Sequence, residues 1–167
     1  MTQFNDYDKS GWLNVPQEPG LSYKMHYDFK VLGWDREKGE IDFVLRFAAD
    51  GSHCQRHRHL ANTTILVLEG EQHLFDLKPD GSTEHRIRRA GAYHRGTGPE
   101  ALPHMERGGD EGALVYYQCQ ADDGRLFEFL DDGLNVIDEV TIDTLIDSWE
   151  QARKAGLNDP SRLESIP

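Results

Sequence analysis

The sequence predicts an all-β fold, an antiparallel sandwich or barrel, closed by one C-terminal helix. Three observations lead there. Apolar and polar residues alternate over several short runs, the pattern of half-buried strands. Turn residues rich in Gly, Pro and Asp separate these runs at roughly ten-residue spacing, as in sandwiches and barrels. Near the end the apolar period changes from two to about 3.6, the repeat of a helix.

Residues 1–20 carry Gly11, Pro16, Pro19 and Gly20 and read as an irregular N-terminal arm, with Trp12 and Leu13 as its packing residues. Residues 21–156 form the barrel and its helix. Tyr23, Met25, Tyr27, Phe29 and Val31 alternate with Lys24, His26, Asp28 and Lys30, which predicts a strand. Residues 33–39 make a charged turn, and Ile41, Phe43, Leu45 and Phe47 alternate again. Asp50-Gly51 turns the chain into a histidine-rich segment. Ile65 to Leu68 form a short apolar run closed by Glu69-Gly70-Glu71. Gln72 to Leu77 make a further strand, and Pro79-Asp80-Gly81 is a strong turn signal. His85 to Arg89 read as an exposed strand, Ala90-Gly91 as a turn, and residues 96–103 as a loop. Gly108-Gly109 reads as a turn back, Ala113 to Gln120 as a strand and Leu126 to Leu130 as one more. Ile142, Leu145, Ile146, Trp149 and Ala152 then follow helical spacing, with Thr141 as N-cap and Gly156 as the C-terminal stop. Residues 157–167 read as a loose tail.

With 167 residues the chain suits one domain with a sizeable core. Its net charge of −12 argues against nucleic acid or an anionic membrane surface as partner. Two cysteines, Cys54 and Cys119, make no disulfide framework and point to a reducing compartment. No run approaches the roughly 18 apolar residues of a membrane span, and the first residues lack the apolar stretch of a leader. A cytoplasmic protein is the expectation.

The chemistry lies in Gly51-Ser-His-Cys-Gln-Arg-His57-Arg-His59. Residues two apart on a strand share a face, so the imidazoles of His57 and His59 can converge on one ion. His104, directly after Pro103, is a third ligand for a neighbouring strand to supply. Three neutral imidazoles in fixed geometry hold a transition metal and leave coordination positions open. Cys54 is either a soft ligand or a buried thiol. His26, His53, His73 and His85 read as surface or packing residues, and His94 lies within reach of the site's mouth.

This pattern resembles the two motifs of the cupin superfamily. There the first motif reads Gly, five residues, His-x-His, three or four residues, Glu, and a closing Gly. Gly51, His57, His59 and Gly70 match it, and Gly91 with Pro103-His104 resembles the second motif. The glutamate position is held by Thr63 or Thr64 instead. The resemblance implies a jelly-roll barrel, the double-stranded β-helix, with an N-terminal arm and one C-terminal α-helix. It also implies a divalent transition metal on His57, His59 and His104, Fe(II) first, with Zn, Ni or Mn as others. Neutral three-histidine iron sites occur in the superfamily's thiol dioxygenases and acetylacetone-cleaving dioxygenases. The second group is the closer resemblance and covers most of residues 40–152. Its small cupins also follow the last barrel strand with a segment like Phe129–Ile137 and a helix, although they keep a Glu at the position of Thr64.

On that resemblance the chain is expected to be a non-haem Fe(II) dioxygenase that cleaves a C–C bond of a small dicarbonyl or hydroxyketone with O2, as a homodimer. A metal-bound sensor without turnover and a zinc-dependent isomerase or lyase are the alternatives on the same scaffold. Parity along the strands makes Thr64 and Tyr117 candidates for catalytic roles and Gln72 and Tyr93 candidates for substrate contact. Without a glutamate ligand such a site keeps the full charge of its ion and favours an anionic chelating substrate.

Overall fold

The computed structural model describes residues 3–4, 11–98 and 101–155. The strands are β1 (Gln3–Phe4), β2 (Leu13–Val15), β3 (Tyr27–Asp35), β4 (Glu40–Phe47), β5 (His57–His59) and β6 (Asn62–Leu77). They continue with β7 (Thr83–Arg89), β8 (Tyr93–Gly96), β9 (His104–Gln120), β10 (Arg125–Leu130) and β11 (Val136–Thr141), and the helix α1 (Ile142–Lys154) closes the order. The strand pairs are antiparallel along the path β1-β3-β4-β9-β5-β10-β11. β2 lies on β3, and β6 pairs with β7, β8 and β9. The expected all-β barrel with one terminal helix is what forms. No helix of the described residues is long and apolar enough to cross a membrane.

β9 is the seam of the barrel. Tyr117 faces Phe43 of β4 on one edge and Ile65 of β6 on the other. Near the start of the same strand His104 pairs with His57 of β5 and with Asp76 of β6. Of two buried hydrophobic clusters among the described residues the larger fills the interior, and the smaller gathers Trp12, Val44 and Leu114. The larger includes Phe29, Val31, Ile41, Phe43, Phe47, Val115, Tyr117 and Leu126, together with the buried stripe of α1.

The helix begins where its sequence says it should. The Thr141 hydroxyl accepts from the Thr144 amide at 3.2 Å, and the Thr144 hydroxyl accepts from the Thr141 amide at 2.8 Å, a reciprocal cap of two otherwise orphaned donors. Ile142, Ile146, Trp149 and Ala152 are buried, and the Trp149 ring lies 5.9 Å from Phe29. The helix covers one side of the barrel, with Thr144, Leu145 and Ser148 at the rim of a cavity that opens to solvent there. The expected stop at Gly156 and the tail 157–167 lie outside the described residues.

Four expectations need correction. The strand expected to start at Tyr23 starts at Tyr27 and continues through Gly33 to Asp35, so the turn occupies only residues 36–39. The arm is not wholly irregular, because Leu13–Val15 pairs with Tyr27–Phe29 and Trp12 is buried. The two strands expected on either side of Gly70 are one bent strand, β6, with register shifts between Val67 and Glu69 and between Gly70 and Gln72. Likewise Gly108-Gly109 does not reverse the chain, and β9 runs through it. Gly70 and, in β9, Gly112 have positive φ, and such a glycine serves a bulge as readily as a turn, so the sequence signal is the same for both. β11 was not expected at all. Val136 and Ile137 are both more than half exposed, so the strand has no buried alternation to read.

Replacing Trp149 with Ala should cost about 3–5 kcal/mol, read as a fall in melting temperature, because the ring is almost wholly buried. Trp149→Phe should cost clearly less. The indole Nε1 is buried and finds no hydrogen-bond partner among the described residues, so removing it removes an unsatisfied donor. Equal losses for the two variants would show that volume is not the main contribution there.

Candidate metal centre

β5 supplies His57 and His59 from one face of a three-residue strand, with Arg58 between them turned outward to Glu128. β9 supplies His104 and Glu106 by the same alternation. The main-chain pairing of His57 with His104 brings the two strands side by side. All four residues are buried, and one ligand atom from each lies within 4.8 Å of every other.

The hydrogen bonds settle which ring nitrogens face inward. His57 Nδ1 donates to the Gln55 carbonyl at 2.8 Å, and His104 Nδ1 donates to the Leu102 carbonyl at 2.9 Å. His59 Nδ1 lies 2.8 Å from Thr63 Oγ1, whose own proton goes to the Ala61 carbonyl at 3.1 Å. The Thr63 hydroxyl therefore accepts from His59. Each imidazole is thus held with Nε2 turned toward the others. His57 Nε2 and His59 Nε2 are 3.1 Å apart, and both lack a proton when the rings are neutral. Two facing lone pairs at that distance repel unless a cation lies between them. His104 Nε2 and Glu106 Oε1 are both buried without hydrogen-bond partners among the described residues, 3.6 Å from one another. Bonds of about 2.1 Å to a shared ion separate neighbouring ligand atoms by about 3.0–3.4 Å. The His57–His59 pair has that spacing, and the His104–Glu106 pair is slightly wider. The donor set of three imidazoles and a carboxylate suits a divalent transition metal.

The electrostatics suit the same purpose. Burial, reinforced by the nearby His104, lowers His57 to about 4. Burial and then His57 and His104 hold His59 well below its ordinary value. Both rings are neutral at pH 7, as ligands must be. Burial also disfavours charge on His104, but its contact with Glu106 outweighs that and raises it. Burial alone would raise Glu106, whereas His104, with His57 and His59 behind it, brings the carboxyl down and keeps it ionised.

Glu106 is the residue that the sequence reading missed. The signal was available: it stands two residues after His104, the same parity that singled out His57 and His59. Because Glu106 supplies a carboxylate, the expectation of a neutral three-histidine site with the ion's full charge is replaced by a set of three histidines and one glutamate. Thr64, expected opposite the metal, lies on the other face of β6 from the buried Thr63, half-buried and in register with Gln118 and Arg95. The hydroxyl that meets the cluster is that of Thr63, through His59.

Tyr117 and Gln72 are both brought to the site. The Tyr117 hydroxyl donates to Glu106 Oε2 at 2.5 Å and accepts from Gln72 Nε2 at 2.9 Å. Its ring stacks on Phe43 with centroids 5.1 Å apart. Tyr93 is not brought to the site: it is 65% exposed on β8 and lines neither cavity beside the cluster. Cys54 is a buried thiol near the cluster. Its Sγ lies 3.7 Å from His57 Nδ1 and accepts from the Glu106 amide at 3.3 Å, bracing the two ligand strands. His94 reaches the wall of the polar cavity described below.

Two cavities flank the cluster. One, of about 320 Å³, is largely apolar, with Phe29, Phe43, Leu45, Phe127 and Leu145 in its wall beside His57, His59 and Glu106. The other, of about 510 Å³, is the more polar of the two, with charged residues set among Ile65, Leu74 and Leu102, and it meets the cluster at His59 and His104.

No protein-family model matches the chain, and no curated protein matches it in sequence. Solved structures do match. An RmlC-like cupin protein from Ralstonia eutropha JMP134 is 19% identical, with a TM-score of 0.63 over 90% of this chain and 85% of that one. An acetylacetone dioxygenase from Acinetobacter johnsonii is 17% identical, with a TM-score of 0.61 over 83% of this chain and 85% of that one. A protein from Methylibium petroleiphilum PM1 is 15% identical, with a TM-score of 0.64 over 88% of this chain and 93% of that one. At these identities the likeness is one of fold, and the fold is the RmlC-like cupin jelly roll.

Two outcomes follow for the cluster. His57→Ala, His59→Ala, His104→Ala and Glu106→Gln should each lose most of the bound metal measured by elemental analysis, while Thr64→Val should retain it. Normal stoichiometry in the Glu106 variant would remove it from the ligand set. Metal affinity should also fall as pH drops through the raised pKa of His104, because the metal-free ring then gains a proton that the ion must displace. Calorimetric titration of metal in two buffers of different ionisation enthalpy reads that proton release.

Proposed function

We propose that this chain is a non-haem Fe(II) dioxygenase that cleaves a C–C bond of a small dicarbonyl or hydroxyketone compound with O2. The observation that carries the reading is the buried cluster of His57, His59, His104 and Glu106, three of which line a small, largely apolar cavity. A divalent ion held by these four groups supplies Lewis acidity to oxygen ligands and, as Fe(II), redox chemistry with O2.

The protein's own residues set what can bind there. Glu106 contributes one negative charge, so a dipositive ion leaves a single positive charge to be balanced. An enolate or deprotonated hydroxyketone carries that one charge and neutralises the site in a medium where unbalanced charge is costly. The aromatic and aliphatic wall from Phe43, Phe127, Phe129 and Leu145 shields the carbon skeleton from water. A volume of about 320 Å³ lies at the lower end for ligand pockets and restricts the substrate to a small compound. Tyr117 keeps its proton toward Glu106 Oε2, which leaves Oε1 for the ion and fixes the carboxylate plane. Tyr117 is thus a positioning residue. The fold shared with the Acinetobacter johnsonii acetylacetone dioxygenase agrees with this reading.

Four ligands are also a full tetrahedral complement for zinc, which favours, as second reading, a zinc-bound lyase, isomerase or sensor. Metal analysis of protein purified without added metal, together with oxygen-electrode traces over a β-diketone series, separates the two. Iron with diketone-dependent O2 uptake is expected. Zinc at full occupancy without uptake, also after exchange to Fe(II), would overturn the dioxygenase reading. Tyr117→Phe should retain the metal and lower kcat by about ten-fold or more, in line with loss of one hydrogen bond to a charged group.

A further inference from the structure

The polar cavity on the far side of the cluster has a charge unlike the rest of the molecule. The whole chain carries −12, yet this cavity is walled by Arg86 and Arg88 of β7 and Arg95 of β8. Two acidic residues share the wall, and both are engaged. Asp76 takes Arg86, with Oδ2 2.6 Å from Nε and 2.5 Å from Nη2. Glu84 takes Lys78 at 2.7 Å.

Arg88 is different. It has no ion pair among the described residues, and its hydrogen bond is a long one, from Nη1 to Gln72 Oε1 at 3.4 Å. It is only partly exposed; burial opposes its charge, and the nearby Glu106 carboxylate supports it without bonding to it directly. A guanidinium offers five donors in a rigid fork, and one removed from water without an anion is costly. Among the described residues no carboxylate bonds the fork, and its shape fits a planar or tetrahedral oxyanion through two parallel hydrogen bonds. Gln72 joins Arg88 to Tyr117, and Tyr117 to Glu106, so this position is wired to the metal ligands.

We propose that the polar cavity is an oxyanion-binding site built on Arg88, taking a carboxylate or a phosphate next to the metal centre. In its carboxylate form, which rests on the dioxygenase reading above, the substrate is a small keto acid whose acid group is held by Arg88.

The test is calorimetric titration at low salt of inorganic phosphate, and of acetate, butanoate and benzoate, into the protein as purified and again after exhaustive chelation. Wild-type protein should bind at least one of these anions in both states. Arg88→Met should weaken that binding about ten-fold or more, and Arg88→Lys, which keeps the charge but not the fork, should fall between. Arg89→Gln is the control, since Arg89 is largely exposed and pairs with Glu71 instead. If Arg88→Met fails to fold by its melting curve, Arg88→Lys carries the comparison, with a loss of about three-fold or more expected. Tighter binding of the longer carboxylates assigns the site to a substrate's acid group, and tighter binding of phosphate assigns it to a separate oxyanion. Affinity that is unchanged in the Arg88 variants, or absent in wild type, overturns the proposal. Because binding is read without turnover and without metal, a negative oxygen-electrode result removes the keto-acid form but leaves the oxyanion site standing, and failure of anion binding leaves the dioxygenase reading standing.

Discussion

The charge of Glu106, fully buried inside the barrel, is the constraint around which the surrounding structure is organised. An ionised carboxylate in that position needs compensation from every direction. Tyr117 donates to one oxygen, and His104 stands beside the other. The Glu106 amide is tied to the Cys54 sulfur, and its carbonyl accepts from the Cys54 amide at 2.8 Å. Those two contacts lock β9 to the segment that leads into His57 and His59. His57 and His59, both held neutral by burial, present unprotonated nitrogens on the same side, while His104 is favoured in its charged form by its contact with the carboxylate.

Two long bent strands hold the cluster in register. β6 and β9 pair along nearly their whole lengths, and both change register near Gly70 and Gly112. A Cβ on Gly70 would sit 2.2 Å from the Gly112 carbonyl oxygen, and one on Gly112 would sit 2.5 Å from the carbonyl oxygen of Phe47. Both glycines also have positive φ, 67° and 77°. Side chains are excluded there by contact as well as by conformation. The bends allow one end of β9 to face β5 and the metal ligands while the other end packs between β4 and β6.

The legible parts of the sequence are those where one rule acts alone. His57 and His59 lie two apart on a strand, and nothing competes with that reading. The helix from Ile142 announces itself by period and by Thr141. Glycine misleads at Gly70, because turns and bulges require the same backbone freedom and only strand pairing tells them apart, and at Gly108-Gly109, where the positive φ belongs to Gly112 and a Cβ on Gly108 would meet the Gly112 Cα at 2.8 Å. Thr64 and Thr63 differ by one residue, and one residue decides the face of a strand, so small errors of register invert the assignment. Glu106 was overlooked for a different reason. Attention to the customary place of the acid after His-x-His hid a second pair of alternating ligands, His104 and Glu106, on another strand. Gln72 and Arg88 gain their significance only from cross-strand contacts, which no single-strand pattern contains.

The C-terminal helix serves two faces at once. Ile142, Ile146, Trp149 and Ala152 anchor it to the core, while Leu145 and Ser148 look into the apolar cavity. The two sets interleave along the helix without sharing a residue. Leu145 also packs against the core, so a change at Ser148 reshapes the chamber with the least effect on the anchoring stripe. In evolutionary terms the helix separates selection for a folded barrel from selection for a particular guest, so related chains can diverge in what they accept without rebuilding the strands that carry the histidines.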